Sequence, residues 1–562
     1  MHPSRRLWSA LFSVALFVSC TSFNTFAQST NRQVGSPIEV TAEPVVTRPH
    51  EQPCVVPLFA NFTFAFFSDT QKNFQFTPPA NCTGPFEKVV LEIDFSENPG
   101  VQFDRTASLF INNANIYFGT TPEPLQTDTN TWHVERDITD YASLLAIPQS
   151  GAMILQNCTT DCPPPFNTEL NGVFTVNADI EFYPQKKNDA KVVTPDQVLP
   201  LIQINSSGGI NLPANVSTPT DQYSTTFTLP ANIEQAYLDV ISQSQSTDEQ
   251  WYACFPNDLA SINQLFGCGN TDFRETEITI DGTPAGLAPV SPWVFTGFLP
   301  DQWMPMPALQ TLEFIPYRVN LTPFAGMLND GNPHTVSLSV FNDGGFFSEA
   351  ANLLLFLDHG SAQVSGAVTK NNLTGPTPVV GEHLRGTSTV TGTIDVRNNR
   401  NFTITGFVNT SHGKVTTSVF GQQKFNSSTK IDFDVVNFSV LNQTTTVNNS
   451  VDTTTTVTNK TDRTVTKNTF DFPITIDVKF PVNSAPFGLT VDTTQLYQAT
   501  DQVTSNGLLS FFSSATNSVE GSDVAPDTSS QTYTSFDSTG ASYNCSITSS
   551  AGLLKTVSHG CK

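Results

Sequence analysis

Apolar and polar residues alternate along this chain in short runs separated by Gly, Pro, Asn and Asp. Lys88-Val-Val-Leu-Glu-Ile-Asp-Phe95, Ala107-Ser-Leu-Phe-Ile111 and Gly172-Val-Phe-Thr-Val-Asn-Ala-Asp-Ile-Glu-Phe182 carry the period of two that turns alternate side chains to one face of a strand. The scheme returns in Thr225-Thr-Phe-Thr-Leu229, Gln235-Ala-Tyr-Leu-Asp-Val-Ile241, Thr335-Val-Ser-Leu-Ser-Val-Phe341 and Leu353-Leu-Leu-Phe-Leu357. Evenly spaced strands between turn residues predict a sandwich or jelly roll in each stretch. Val134 to Leu145 reads otherwise, with Asp137 or Thr139 capping a short helical turn.

After residue 366 the pattern changes. Thr444 to Val457 alternates poorly and offers few large apolar side chains, so long, thin antiparallel strands with solvated faces are expected. The expected fold class is all-β: tandem jelly-roll sandwiches over 53–190 and 197–365, then a Thr/Ser/Asn-rich antiparallel β domain over 366–562. Pro184 to Asp196 reads as a linker, and the polar residues 28–52 as a flexible lead. At 562 residues the chain is too long for one core, and 14% charged residues leave little material for long surface helices.

Arg5 and Arg6, the apolar Leu7 to Val18 and Thr25-Phe26-Ala27 have the layout of a cleaved secretory signal over 1–27, which predicts a secreted protein, extracellular or periplasmic. Acylation at Cys20 is the minor alternative, because Phe17 stands where a small aliphatic residue is usual. No later stretch is long and apolar enough to span a bilayer as a helix. Apart from Cys20, the cysteines fall as neighbours, which predicts the disulfides Cys54 with Cys82, Cys158 with Cys162, Cys254 with Cys268, and Cys545 with Cys561. Asn-x-Ser/Thr sequons recur from Asn61 to Asn544. The formal net charge of −24 argues against nucleic acid or an anionic membrane as partner, and an acidic, lysine-poor surface suits low pH.

Candidate chemistry lies in two runs where an acid stands beside an arginine at the start of a strand pattern. Asp104-Arg105 precedes Thr106-Ala-Ser, and Arg274-Glu275 opens Glu275-Thr-Glu-Ile-Thr-Ile280. A carboxylate held by a guanidinium keeps its charge at low pH and can polarise water, the minimum equipment for hydrolysis without a metal. The bland alternative is a surface ion pair of little consequence. Asp248-Glu249-Gln250-Trp251-Tyr252 sets carboxylates beside aromatics, so Glu249 and Trp251 are candidates for gripping a sugar, against the alternative of a buried Trp beside Cys254. Asn157, Asn270 and Trp303 are further candidates for substrate contact. None of the eight histidines has ligand spacing, so neither metal nor cofactor is expected.

The chain resembles the acidic peptide-N-glycosidase A family. The likeness is carried by Phe273-Arg-Glu, Ala288-Pro-Val-Ser-Pro-Trp293, Phe314-Ile-Pro-Tyr-Arg318-Val-Asn-Leu-Thr-Pro-Phe324, Gly331-Asn-Pro-His334, Trp132-His-Val-Glu-Arg-Asp137-Ile-Thr-Asp-Tyr141 and Gly406-Phe-Val-Asn409-Thr-Ser-His412. It implies an amidase that frees whole N-glycans from asparagine in glycoproteins or glycopeptides. A more distant similarity to bacterial peptide-N-glycosidase F rests on Phe103-Asp-Arg-Thr-Ala107 and Leu229-Pro-Ala-Asn-Ile-Glu-Gln-Ala-Tyr-Leu238. It implies an active site at the junction of two jelly rolls, with Asp104 as primary acid or base and Arg318 as its partner. Where that enzyme has a second catalytic carboxylate, this chain has Asn270, so the duty is expected to pass to Glu275, in competition with Asp272 and Glu277. The readings kept beside the amidase are a non-catalytic lectin or adhesin, and a glycoside hydrolase.

Overall fold

The computed structural model describes residues 32–561 except 81, 124–125, 128, 164–169, 187–190, 262–266, 298–299, 435, 437–440 and 481–489. The expected signal segment and Cys20 lie outside the described residues. The fold is all-β, with only short helical turns among the strands.

The first unit holds β1 (Cys54–Phe64), β2 (Gln71–Phe76), β3 (Phe86–Glu97), β4 (Thr106–Ile111), β5 (Ala114–Thr120), β6 (Asn130–Asp137), β7 (Gln149–Leu155) and β8 (Phe174–Pro184). They form two antiparallel four-stranded sheets in the orders 1-8-3-6 and 2-7-4-5. The alternation seen in sequence supplies the core between them: Leu91, Ile93 and Phe95 of β3 meet Val176, Ile180 and Phe182 of β8 and Leu109 and Ile111 of β4. The turn read after Asp137 is a 3-10 helix over Thr139–Ala146, opened by the Thr139 N–H donating to Asp137 Oδ1 at 3.0 Å.

The second unit holds β9 (Gln197–Pro200), the small hairpin β10 (Gln203–Ile204) and β11 (Ile210–Asn211), β12 (Ala214–Val216), β13 (Tyr223–Thr228), β14 (Ile233–Gln245), β15 (Glu275–Ile280), β16 (Thr283–Pro289), β17 (Tyr317–Asn320), β18 (Pro333–Phe341) and β19 (Phe346–Leu357). Its sheets run 12-19-14-17 and 13-18-15-16, with β9 beside β19. Numbered from β12, this is the strand order of the first unit. The two sandwiches abut directly: Tyr117 Oη donates to the Leu312 carbonyl at 2.8 Å and Asn352 Nδ2 to the Asn115 carbonyl at 2.8 Å.

The third unit is one antiparallel sheet of 12 strands, from β20 (Ser365–Asn371) to Leu553–Val557. Thr389–Thr410 and Gly413–Asp434 are each 22 residues long and pair along their whole length. Both faces were expected to be solvated. Instead Phe402, Ile404, Val419 and Val451 join the core of the second sandwich. The inward rows also carry Gln423, Ser427, Thr429, Thr445 and Asn449, which is why their alternation is faint in the sequence. All four expected disulfides are formed.

The lead, expected to be flexible, has no regular element but is tied down along its length. The Gly35 N–H donates to the Leu554 carbonyl at 2.8 Å, and the Leu554 N–H to the Ser36 carbonyl at 3.1 Å. The Ala42 N–H donates to Gln531 Oε1 at 2.6 Å, and Ala42 is fully buried. Arg48 then gathers three carboxylates of the first sandwich, Glu92, Glu135 and Glu181. Residues 32–48 are therefore a strap from the third unit to the first.

Candidate active site

Asp104 stands on the loop from β3 to β4, and its neighbours in sequence are pinned on both sides. Gly100 has no space for a side chain, since a Cβ there would lie 2.7 Å from Asn171 Oδ1. That contact lets the Val101 N–H donate to Asn171 Oδ1 at 2.6 Å and the Gly172 N–H to the Val101 carbonyl at 3.1 Å. Gln102 is buried, and its Oε1 accepts from the Phe103 N–H at 3.1 Å and from Arg105 Nη2 at 3.0 Å. The Arg105 backbone pairs with Thr121 in both directions. Asp104 is left to project toward the second sandwich.

Two parts of the second sandwich meet it. A Cβ on Gly297 would overlap Asp104 Oδ1 and stand 3.0 Å from Glu123 Oε2, so only glycine lets this backbone approach, and the Gly297 N–H hydrogen-bonds to Asp104. Thr296 Oγ1 fixes that segment by donating to the Thr121 carbonyl at 2.8 Å. Glu249 lies near enough for the charge of Asp104 to act on it. Thr106 and Gln243 close the seam with a hydrogen bond of 3.0 Å between side chains.

Burial dominates the electrostatics here. It pushes the Asp104 carboxyl up to about 6, against the pull of Arg105 and two backbone N–H groups. Burial, then the charge of Asp104, pushes Glu249 up to about 7. Glu97, at the end of β3, is lifted to about 8 by burial and then by Glu123. Burial lowers the Arg105 pKa, opposed by Asp104, Glu123 and Glu97, and the guanidinium stays a cation. Near neutrality Asp104 is thus largely ionised, Glu249 shares its proton and Glu97 is protonated, with Glu123 and the positive charge of Arg105 beside them. This is the equipment for moving a proton each way across a polar bond.

The structure brings together Asp104, Arg105 and Glu249 but not the other sequence candidates. Arg318 gives Nε and Nη2 to Asp239 at 2.7 and 2.8 Å and Nη1 to Asp140 at 2.5 Å; no recorded contact joins it to Asp104. Asp239 is four residues along β14 from Gln243, roughly 13 Å of extended strand. Sequence proximity to a motif cannot tell which end of a sandwich a strand presents. Glu275 is fully buried and paired with Arg400 of the third unit, so it is a packing group between units. Asp272, raised to about 7 by burial, lies in the same inter-unit layer beside Ser427. Trp251 and Trp303 are buried in a core shared with the third unit, so neither offers a face to a sugar. Asn157 is a clasp: its Nδ2 donates to the Phe64 and Gly172 carbonyls at 2.8 and 3.1 Å, and its Oδ1 accepts from Gln102. Asn270, at φ 66°, exchanges hydrogen bonds with Asn257 and Asn342 within its loop.

Glu97, Glu123, Phe103 and Gly297 complete the neighbourhood. Glu97 was visible in sequence, because Leu91-x-Ile93-x-Phe95-x-Glu97 puts an acid on the inward face of a core strand. Phe103 is the exposed aromatic here, with Arg105 Cζ 5.7 Å from its ring centre. Gly297 carried no signal, since its role is a close approach across the seam. Three acid clusters elsewhere have the spacing of metal ligands, among the described residues. In one, Arg48 already pairs with Glu92 and Glu135; in another, the two cysteines form a disulfide; in the third, Asp358 is engaged by Ser411 and Gly360.

A family model described as peptide N-acetyl-beta-D-glucosaminyl asparaginase amidase A matches residues 44–359, which span both sandwiches. A peptide-N4-(N-acetyl-beta-glucosaminyl)asparagine amidase A of Prunus dulcis is 30% identical over 431 residues, covering 72% of each chain. Among solved structures, PNGase F of Flavobacterium meningosepticum matches 54% of this chain and 96% of its own at 17% identity and TM-score 0.35. PNGF-II matches 55% of this chain and 66% of its own at 14% identity and the same TM-score of 0.35. At that score the structural likeness carries no argument.

Proposed function

We propose that this chain, which belongs to the peptide N-acetyl-beta-D-glucosaminyl asparaginase amidase A family, hydrolyses the amide joining N-acetylglucosamine to an asparagine side chain. Its substrates are N-glycosylated proteins or peptides. The observation that carries the residue assignment is the seam pair, Asp104 from the first sandwich and Glu249 from the second, close enough for the charge of one to act on the other, with pKa values near 6 and near 7.

Asp104 as carboxylate takes a proton from a water held at the seam, and that water attacks the side-chain carbonyl carbon. Arg105 stabilises the oxyanion as it develops, a role in which preorganised charge is worth most. The tetrahedral intermediate collapses with the C–N bond breaking, and the protonated Glu249 gives its proton to the leaving nitrogen. Aspartate remains on the peptide; a glycosylamine departs and decays in water to sugar and ammonia. Phe103 supplies an exposed aromatic face against which a sugar ring can stack. The protonated Glu97 is a buried donor behind Arg105.

The pH window follows from the same pair. Asp104 must be ionised and Glu249 protonated, which favours the slightly acidic range between their two values. Four disulfides fit an oxidising, extracellular setting, and the sequence layout of residues 1–27 supports secretion. No described helix is long and apolar enough to cross a membrane.

The test is digestion of a defined N-glycopeptide followed by mass spectrometry of the peptide. Aspartate in place of the glycosylated asparagine, with an intact released glycan, is the expected result. A peptide that keeps one sugar would make the protein a glycoside hydrolase, and an unchanged glycopeptide that binds would make it a lectin.

A further inference from the structure

A cavity of about 500 Å3, with acidic, basic and aromatic side chains in its lining, lies at the other end of the seam. Along β6, Asn130 pairs with Glu97 at the Asp104 end, and Arg136, which lines the cavity, is six residues further on. That is roughly 20 Å of extended strand, and the cavity shares no lining residue with the Asp104 site. Its wall is assembled from every part of the chain: Glu43 of the strap, Arg136 and Tyr141 of the first sandwich, Glu313 of the second, and Tyr497 and Tyr533 of the third unit.

Arg136 is the decisive side chain. It is 7% exposed, its guanidinium carbon lies 6.0 Å from the centre of the Tyr141 ring, and the side chain lines the cavity. The cavity is far larger than one water needs. Its lining sorts the ligands it can take. Six acidic residues, Glu43, Glu135, Asp137, Asp140, Asp239 and Glu313, share the lining with two guanidinium groups, and that of Arg318 is already paired with Asp140 and Asp239. Such a wall repels an anion, while Arg136 disfavours a cation.

We propose that this cavity is a second saccharide site, which takes one or two units of a neutral sugar with the Arg136 guanidinium donating to an oxygen of the bound ring or its acetamido group. Asp140, whose Oδ2 is taken by Arg318, accepts from a hydroxyl group through its other oxygen, and Tyr497 and Tyr533 stack on the apolar side of the sugar. Glu313 is pushed up to about 8 by burial, so in mildly acidic solution it stands protonated and can donate, and burial raises Glu43 as well. The site is separate from the amidase reading and does not depend on it.

Isothermal titration calorimetry of the full chain with chitobiose and with cellobiose tests the proposal. Binding of at least one of them is expected in the wild type and in Asp104→Asn. Arg136→Gln and Tyr533→Ala should each weaken it at least tenfold or remove one binding event. Tyr533 is half-buried, so its variant carries the test should Arg136→Gln fail to fold. No binding of either sugar at tens of millimolar, or isotherms the same in wild type and both variants, would overturn it.

Discussion

Two arginines sit on the seam between the sandwiches, and their surroundings differ in kind. Arg318 gives a hydrogen bond from each of its three nitrogens to carboxylate oxygens of Asp239 and Asp140. Arg105 spends its recorded hydrogen bonds on the neutral Gln102, while Asp104, Glu97 and Glu123 act on it only through their charge. Asp239 is held in place by its partner. A carboxyl that is buried beside a cation without being clamped keeps a pKa near the working pH, which is what proton transfer needs. One end of the seam is built to hold, the other to react.

The sharpest way to break this contrast is Asp104→Asn. It should lower kcat for glycopeptide hydrolysis by about a thousandfold, with KM little changed and the melting temperature kept, measured by product release and calorimetry. Glu249→Gln comes next, at about a hundredfold in kcat. It should also abolish the upper limb of the pH profile of kcat/KM, near 7, while leaving the limb near 6 set by Asp104. Survival of both limbs would remove Glu249 from the reaction.

Gly297→Ala probes the same end through backbone approach. The new methyl group must displace Asp104, so activity should fall about tenfold at a stability cost of about 1 kcal/mol, read by urea unfolding. Arg318→Ala tests the holding end. It leaves the buried Asp239 unpaired and should cost about 1–3 kcal/mol of stability, less than a fully buried pair because Arg318 is 40% exposed. The kcat/KM of the folded fraction should change less than threefold; a collapse of activity in folded protein would return Arg318 to the catalytic machinery.

The gentlest test is pH. Glu39, Glu97, Glu313 and Glu349 are all lifted by burial to about 8. Each binds its proton more tightly folded than unfolded, so the stability it contributes is complete below about 4.5 and is lost as pH rises through 8. The melting temperature should therefore be lower at pH 8 than at pH 5, by on the order of 5 °C. A higher value at pH 8 would mean that these carboxyls are not desolvated as described.

How much of this could be read from the sequence follows a physical divide. The strands of both sandwiches were legible because Leu91, Ile93 and Phe95 repeat with the pleat. The place of Asp104-Arg105 at the edge of a strand was legible because the strand pattern starts at Thr106. What depends on contact between distant segments was not. Glu275 looked like a catalytic acid until Arg400, brought from the third unit, was seen to neutralise it. Trp251 looked like a sugar platform among polar neighbours, yet Phe425 and the third sheet cover it. The inward rows of that sheet use Thr, Gln and Asn, so a pattern built on apolar residues could not mark which face was covered.

The strap imposes an order of assembly. Ala42 waits for Gln531, a sequence separation of 489, and residues 35 and 36 wait for Leu554. Loops of that length close slowly, so these contacts form only after the last strands of the third sheet exist. Arg48, by contrast, has all three of its partners, Glu92, Glu135 and Glu181, as soon as the first sandwich exists. One end of the strap is seated early, and completion of the final sheet is the event that fastens the other.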